Sequence, residues 1–484
     1  MHRLLFLVFL LLALPAHAWM PYTHVYLAEE ALREAHDHGS VTIWQVDPVQ
    51  GRRLHPIGTF KVDPELVSAI EAHRGEYHAG LMGPDAFPDI PTGEYAIHPD
   101  NEVAGHAGPI ADEWLEELWR RSRGPIGTRG AEKAFVLGFL QHAAGDMMAH
   151  DFINYITGGE YTFAHHNALK HVTIESYVAQ VTPPIDDPHA WDLSVDSISA
   201  FLVDTLVHTP LLSGDGGKLS ILAWIQALRT APFPPPDDIQ AHVEQGLAKW
   251  PGISAQMAQA TMFNPSRKPD WAAADTAVHN YLDVLNTMIT EDEMVSIYEK
   301  IRTWIPATAK DDLMWFRNLR KMKAGIAMAI MQHIEEKEPN LKGLSAALND
   351  GENVFDSIVA QKEPNYTDHP VSLDDFRHNY LRMEPFQKTW DYHRFRPAYN
   401  TFVICQVSLL PPSELRRLAS TLRQMTGRGP YTGDLPPNVC LGYIRSMNGS
   451  HQWRPGTVHQ PSILFDDQSF RLIFMNSLPE EAGR

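Results

Sequence analysis

The stretch "FVLGFLQHAAGDMMAHDFIN" (residues 135–154) decides how this chain folds. It predicts a helix over 131–155, in which His142, Asp146 and His150 are spaced i, i+4, i+8. Each four-residue step rotates only about 40° around a 3.6-residue helix, so the three side chains share one face. The preceding "AFVLGFL" is apolar and supplies burial. Three ligand-type side chains therefore stand where core residues are otherwise expected. Met147 and Met148 in the same stretch read as core filler.

The next helix, predicted over 165–182, repeats the pattern. In "HHNALKHVTIESYV" (165–178), His171 and Glu175 are again four apart. Two helices with inward-facing His and carboxylate pairs can enclose metal. Imidazole nitrogen and carboxylate oxygen without thiolate suit zinc at a hydrolytic site. One such pair is common on helix surfaces and at N-caps. Two pairs within 34 residues, with a third histidine in phase, point to a metal site instead. His165 and His166 are adjacent, so they face different ways. The Pro/Gly/Asp-rich loop 83–109 adds Asp85 and Asp89 in turns after proline, with His98 and His106 downstream. Many of the 25 histidines fall between residues 73 and 171.

The pattern along the rest of the chain is mainly α. Helices are expected over 19–36, with Thr23 as N-cap, and over 64–80 and 110–123. Residues 40–62 read as irregular or β-like. Residues 193–350 are helical in pattern with Pro-rich breaks at 232–236 and 264–269, and 311–337 is strongly amphipathic. After about 365, "NTFVICQVSLL", "NVCLGYI", "PSILF" and "FRLIFM" read as short strands, so a small C-terminal β-containing region is expected. At the other end, Arg3, the apolar run 4–14 and Ala16-His17-Ala18 read as a signal peptide cleaved before Trp19. That run is too short to span a bilayer core, which needs about 20 residues. The expected organisation is a signal peptide at 1–18, a catalytic core at 19–185, a further helical region at 186–365 and a C-terminal region with short strands at 366–484.

The chain has 40 Lys and Arg against 59 Asp and Glu, a net charge of −19. That balance disfavours non-specific nucleic-acid binding, which needs cationic side chains on phosphates. It does not exclude phosphate chemistry, because metal ions can supply local positive charge. The two cysteines, Cys405 and Cys440, are open to either one disulfide or two buried thiols.

Taken in order, these motifs resemble the zinc-dependent phospholipase C family. That family includes the catalytic domain of glycosylphosphatidylinositol-specific phospholipase D and is related to fungal single-strand nucleases. The resemblance rests on Trp19, His24, "AGLMGPD" ending at Asp85, a loop histidine, "HAAGDMMAH" and "HVTIE", and covers roughly residues 19–182. It implies a multi-helix phospholipase C/nuclease-type bundle holding up to three zinc ions (Zn2+). One zinc would use Asp85, the loop histidine, His142 and Asp146, and a second His150, His171 and Glu175. The last would use His24, Asp146 as a bridge, and the amino nitrogen and carbonyl oxygen of Trp19. The loop histidine is His98 by its spacing from Asp85, or His106 by the local "GHAGPI", which resembles the phospholipase D member. The segment between His142 and His150 is two residues shorter than in the secreted bacterial phospholipases, again as in the phospholipase D branch.

The function implied is a secreted or periplasmic zinc metallohydrolase cleaving phosphodiesters. A phospholipase C acting on phospholipid head groups at a membrane surface heads the list, with Asp85 accepting a proton from attacking water. The rivals are a phospholipase D or nuclease on the same site, and a zinc-binding helical protein without catalysis. Oligomeric state is not fixed by the sequence. Chelation by the amine of Trp19 requires signal cleavage. One extra residue before Trp19 is therefore expected to lower zinc content and activity together, and full zinc content in that variant, by metal analysis, would contradict the assignment.

Overall fold

The computed structural model describes residues 19–86, 109–123, 126–158, 166–185, 192–208, 237–263, 267–288, 343–362, 370–447 and 468–476. The architecture is mainly α. Helix α1 (Pro21–His38) is followed by a hairpin of β1 (Ser40–Asp47) and β2 (Arg52–Lys61), then α2 (Pro64–Ala72) and α3 (Arg74–Leu81). After the short turn Gly83–Asp85 come α4 (Pro109–Ser122), α5 (Ile126–Thr157), α6 (His166–Val181) and α7 (Ser199–His208). Then follow α8 (Asp237–Thr261), α9 (Trp271–Met288), α10 (Leu344–Asn349), α11 (Gly351–Ile358), α12 (Arg396–Ser408), α13 (Pro412–Met425) and α14 (Val439–Met447).

Helix α1 starts three residues earlier than Thr23 as N-cap would place it. Pro21 takes the first turn, where its missing N–H costs nothing, and Met20 is the N-cap. The Thr23 hydroxyl is buried and pairs with the Thr182 hydroxyl at 3.1 Å. The single helix expected over 64–80 is two, broken at His73. Asp63 caps the first by accepting from the N–H groups of Glu65 and Leu66. The β-like reading of 40–62 is an antiparallel hairpin, and it is the only sheet among the described residues. Val41 and Ile43 face the core, and an irregularity between Trp44 and Val46 resets the alternation so that Val46 faces it too.

The expected C-terminal strands are corrected. "NTFVICQVSLL" lies in α12 and the turn after it, and "NVCLGYI" in α14, while "FRLIFM" begins in a short helical turn, Gln468–Leu472. "PSILF" and the amphipathic stretch 311–337 lie outside the described residues. The misreading has a physical cause. Every residue of α12 is buried, and a helix buried on all sides is apolar without a polar face, so its short run cannot be told from a buried strand. Cys405 and Cys440, on α12 and α14, are free buried thiols. Burial raises the pKa of both.

Helix α5 is the centre of the described residues. It kinks at Arg129, and from Ala134 to Asn154 it is buried without a break. Met147, Met148 and His150 all lie inside that buried run. Helices α2, α3, α4, α6, α12 and α14 pack on α5. A helix so enclosed carries its apolar and its ligand-type side chains into one interior.

The closest approach is α3 on α5. A Cβ added at Gly80 would lie 2.0 Å from the Phe135 carbonyl oxygen, and one at Gly138 would lie 2.4 Å from the Tyr77 carbonyl oxygen. Glycine on both helices lets the backbones meet this way. Glu29 ties α1 to α3, accepting from Arg74 at 2.5 Å and meeting His78 Nε2 at 2.7 Å. Gly138→Ala sets a methyl against backbone that cannot swing aside. It is expected to cost about 1–3 kcal/mol in a urea titration, and an unchanged midpoint would contradict the crossing.

Candidate metal centre

The crossing of α3 on α5 ends at the ligand-bearing turn of α5. Gly83 follows with φ +57°, a left-handed conformation natural to glycine, and a Cβ there would lie 2.4 Å from the His142 ring. The turn can therefore fold flat on the imidazole. Two groups from it then reach His142. The Leu81 carbonyl oxygen lies 2.8 Å from Nδ1, and Asp85 Oδ2 lies 3.4 Å from Nε2. With Nδ1–H donated to Leu81, Nε2 is the lone-pair nitrogen, aimed at the carboxylate side.

Helix α1 closes the other side. His24 stacks on His142 with ring centroids 4.0 Å apart, and its Nε2 lies 3.5 Å from Asp146 Oδ1. Asp146 Oδ2 faces His150 Nε2 at 3.6 Å. Asp146 thus stands between two histidines from two helices. The ligand atoms of His24, His142 and Asp146 all lie within 4.8 Å of one another, and all three residues are buried. On α6, His171 Nε2 and Glu175 Oε1 are 2.8 Å apart, within hydrogen-bond distance. The His171 ring stands edge-on to His150, centroids 5.5 Å apart.

The separations fit a shared cation. Two ligands on a tetrahedral zinc with bonds of about 2.0–2.1 Å are about 3.3 Å apart. The pairs at 3.4, 3.5 and 3.6 Å match that edge and are long for direct hydrogen bonds. The donor set, imidazole nitrogen with carboxylate oxygen, suits zinc. Buried carboxylates are costly without a compensating positive charge, and Asp85 and Asp146 are both fully buried.

Of the residues named from sequence, His24, Asp85, His142, Asp146, His150, His171 and Glu175 are described and buried. Trp19 is buried as well; its indole N–H donates to the Thr401 hydroxyl at 3.2 Å, and its ring meets Phe395 edge-on. His98, His106 and Asp89 lie outside the described residues, as does His165. Sequence reasoning missed Leu81, whose contribution is a main-chain carbonyl, and Thr401 and Phe395, which lie in or beside the segment misread as strands. Gly83 was visible within "GPD" but carried no chemistry of its own. A cavity of about 380 Å³, walled by Trp119, Leu415 and Pro436 among others, is lined by none of the candidate ligands.

Comparison of the chain with protein-family models, with curated proteins and with solved structures finds no match.

The environment of His24 favours the neutral ring. Burial, and next the His142 ring, push its pKa down from 6.5 to about 4, against the pull of Asp146. Neutral imidazole is the form that binds metal. Between the two values the unfolded chain takes up a proton that the folded one refuses. Metal-free protein should therefore hold level stability above pH 6.5 and lose stability as pH falls toward 4, by about 3 kcal/mol from this group. Melts in chelator across this range should show the loss, and His24→Gln should reduce it. Identical profiles for the two proteins would contradict the assignment.

Proposed function

We propose that the protein is an exported zinc metallohydrolase of the phospholipase C type that cleaves phosphodiester bonds in phospholipid head groups. The observation that carries the reading is the buried group of His24, His142 and Asp146, with Asp85 and His150 at ligand-pair distances on either side. The order of the motifs, from Trp19 to Glu175, supports the same reading.

His24, His142, Asp146 and Asp85 are the residues that would hold one or more zinc ions at the centre, with His150, His171 and Glu175 as the neighbouring set. Zinc bound there would supply Lewis acidity, lowering the pKa of water toward 7 and offsetting charge on a phosphoryl group. The chain's own residues do the rest. Leu81 fixes the His142 tautomer and ring plane. Asp85, on a turn pressed against His142, would take a proton at a carboxylate oxygen. The apolar surroundings of α5 exclude bulk water and strengthen every charge interaction inside.

A second reading is favoured by one observation: the central residues are buried, as suits a closed structural zinc site without catalysis. One experiment addresses both. Purified protein is analysed for zinc and assayed on phosphatidylcholine, an inositol lipid and single-stranded DNA side by side. The expected result is bound zinc, turnover of phosphatidylcholine to a diglyceride, and loss of at least about a hundredfold in His142→Ala. Zinc without turnover of any substrate would favour the structural reading, and turnover that survives His142→Ala would sink the proposal.

A further inference from the structure

Phe386 is out of place. Its side chain is 99% exposed, and its backbone has φ +72°, in the left-handed region that bulky residues avoid. The local geometry explains how. The N–H of Gln387 donates to the Glu384 carbonyl at 3.1 Å, so Glu384-Pro385-Phe386-Gln387 is a tight turn. Proline second and a positive φ third are the marks of a type II turn, whose third position ordinarily belongs to glycine or asparagine. Phenylalanine there strains the backbone and gains no packing within the chain.

The turn is nonetheless held firmly. The Gln387 side chain accepts from the Glu384 N–H at 2.6 Å, and Arg377 donates to the Gln387 carbonyl at 2.9 Å. Arg394 reaches the Glu384 carboxylate at 3.1 Å. Four residues beyond Phe386, buried Trp390 is fastened to the end of α6, its indole N–H donating to the Val178 carbonyl and its backbone N–H to the Val181 carbonyl. A strained, clamped turn that points an aromatic ring at solvent suggests an external partner.

The neighbourhood indicates what kind. Arg382 donates to the Gln50 carbonyl, which joins this loop to the β1–β2 turn. That hairpin carries two more of the exposed large apolar residues, Val49 and Leu54. The two segments carry the cations Arg52, Arg53, Arg382, Lys388 and Arg394. Their own acids are three, Asp47, which accepts from the N–H groups of Val49 and Gln50, Glu384, paired with Arg394, and Asp391, beside His393, so five cations stand against three carboxylates in these two segments. In a chain of net charge −19 this is a local excess of positive charge. A projecting apolar ring among basic side chains suits the boundary of an anionic bilayer, where the ring enters the acyl region and the cations meet head groups.

We infer that the Glu384–Gln387 turn and the tip of the β1–β2 hairpin form a docking surface for an anionic lipid membrane, with Phe386 as the inserting side chain. The choice of a lipid partner rests on the phospholipase reading and deepens it, but the docking itself is measured without catalysis.

Flotation with vesicles of equimolar phosphatidylcholine and phosphatidylserine, on ice, tests it. Wild-type protein should float, and added salt should weaken the binding. Phe386→Gly should bind about tenfold more weakly while melting at an unchanged or higher temperature, because glycine relieves the strain. Phe386→Asn, which also tolerates this backbone, repeats the test. Wild-type protein that does not float, or variants that float equally well, overturn the inference. Self-association lost in Phe386→Gly, without flotation of the wild type, assigns the ring to a second copy of the chain and also overturns it. Hydrolysis of a water-soluble phosphodiester is read in parallel. If flotation follows Phe386 but no protein hydrolyses that substrate, the docking surface stands and the phosphodiesterase reading falls.

Discussion

The backbone contact between α3 and α5 is the constraint on which the centre depends. Gly80 and Gly138 let two helices meet with carbonyl oxygens where side chains would normally hold them apart. That contact delivers the Leu81 carbonyl to one nitrogen of His142 and Asp85 to the other. Moved outward by one methyl, α3 would withdraw both groups together. The site is thus set by helix packing first and by ligand chemistry second. Its residues are carried by rigid elements, which a metal or catalytic site would require.

The same packing sets the electrostatics. Asp85, Asp146 and Glu175 are buried beside His24, His142 and His171, around the long enclosed run of α5. Burial favours neutral histidine, as the lowered pKa of His24 reflects. It disfavours bare carboxylates. Neutral imidazoles cannot balance buried acids, whereas a divalent cation can, and its binding would stabilise the folded chain by mass action. On the proposed reading, an acidic protein could in this way host an anionic substrate: attraction would be local to the metal, and the surface need not be basic. The Phe386 turn is a small exception on that surface, where strain and charge both point outward.

Much of the centre was legible because helix periodicity is arithmetic. His142, Asp146 and His150 fall on one stripe whatever surrounds them, and His171 with Glu175 follows the same rule. The order of motifs added His24 and Asp85, which local pattern alone would leave as an ordinary helix residue and a loop aspartate. The C-terminal part was misread because α12 is buried on every side, so no polar face marked its helical period. That error hid a structural fact: α12 packs on both α1 and α5, and its Thr401 holds the Trp19 indole. Contacts between residues hundreds of positions apart leave no local trace. Neither does a main-chain carbonyl such as Leu81, because every residue has one.

The central claim is that His24, His142, Asp146 and their carboxylate neighbours form a zinc centre of nitrogen and oxygen ligands. X-ray absorption at the zinc edge of the purified protein tests it most directly. The expected spectrum has nitrogen and oxygen nearest the metal at about 2.0–2.1 Å, with imidazole scattering that diminishes in His24→Gln and His142→Ala. Zinc bound through sulfur, or a spectrum indifferent to both substitutions, would contradict it.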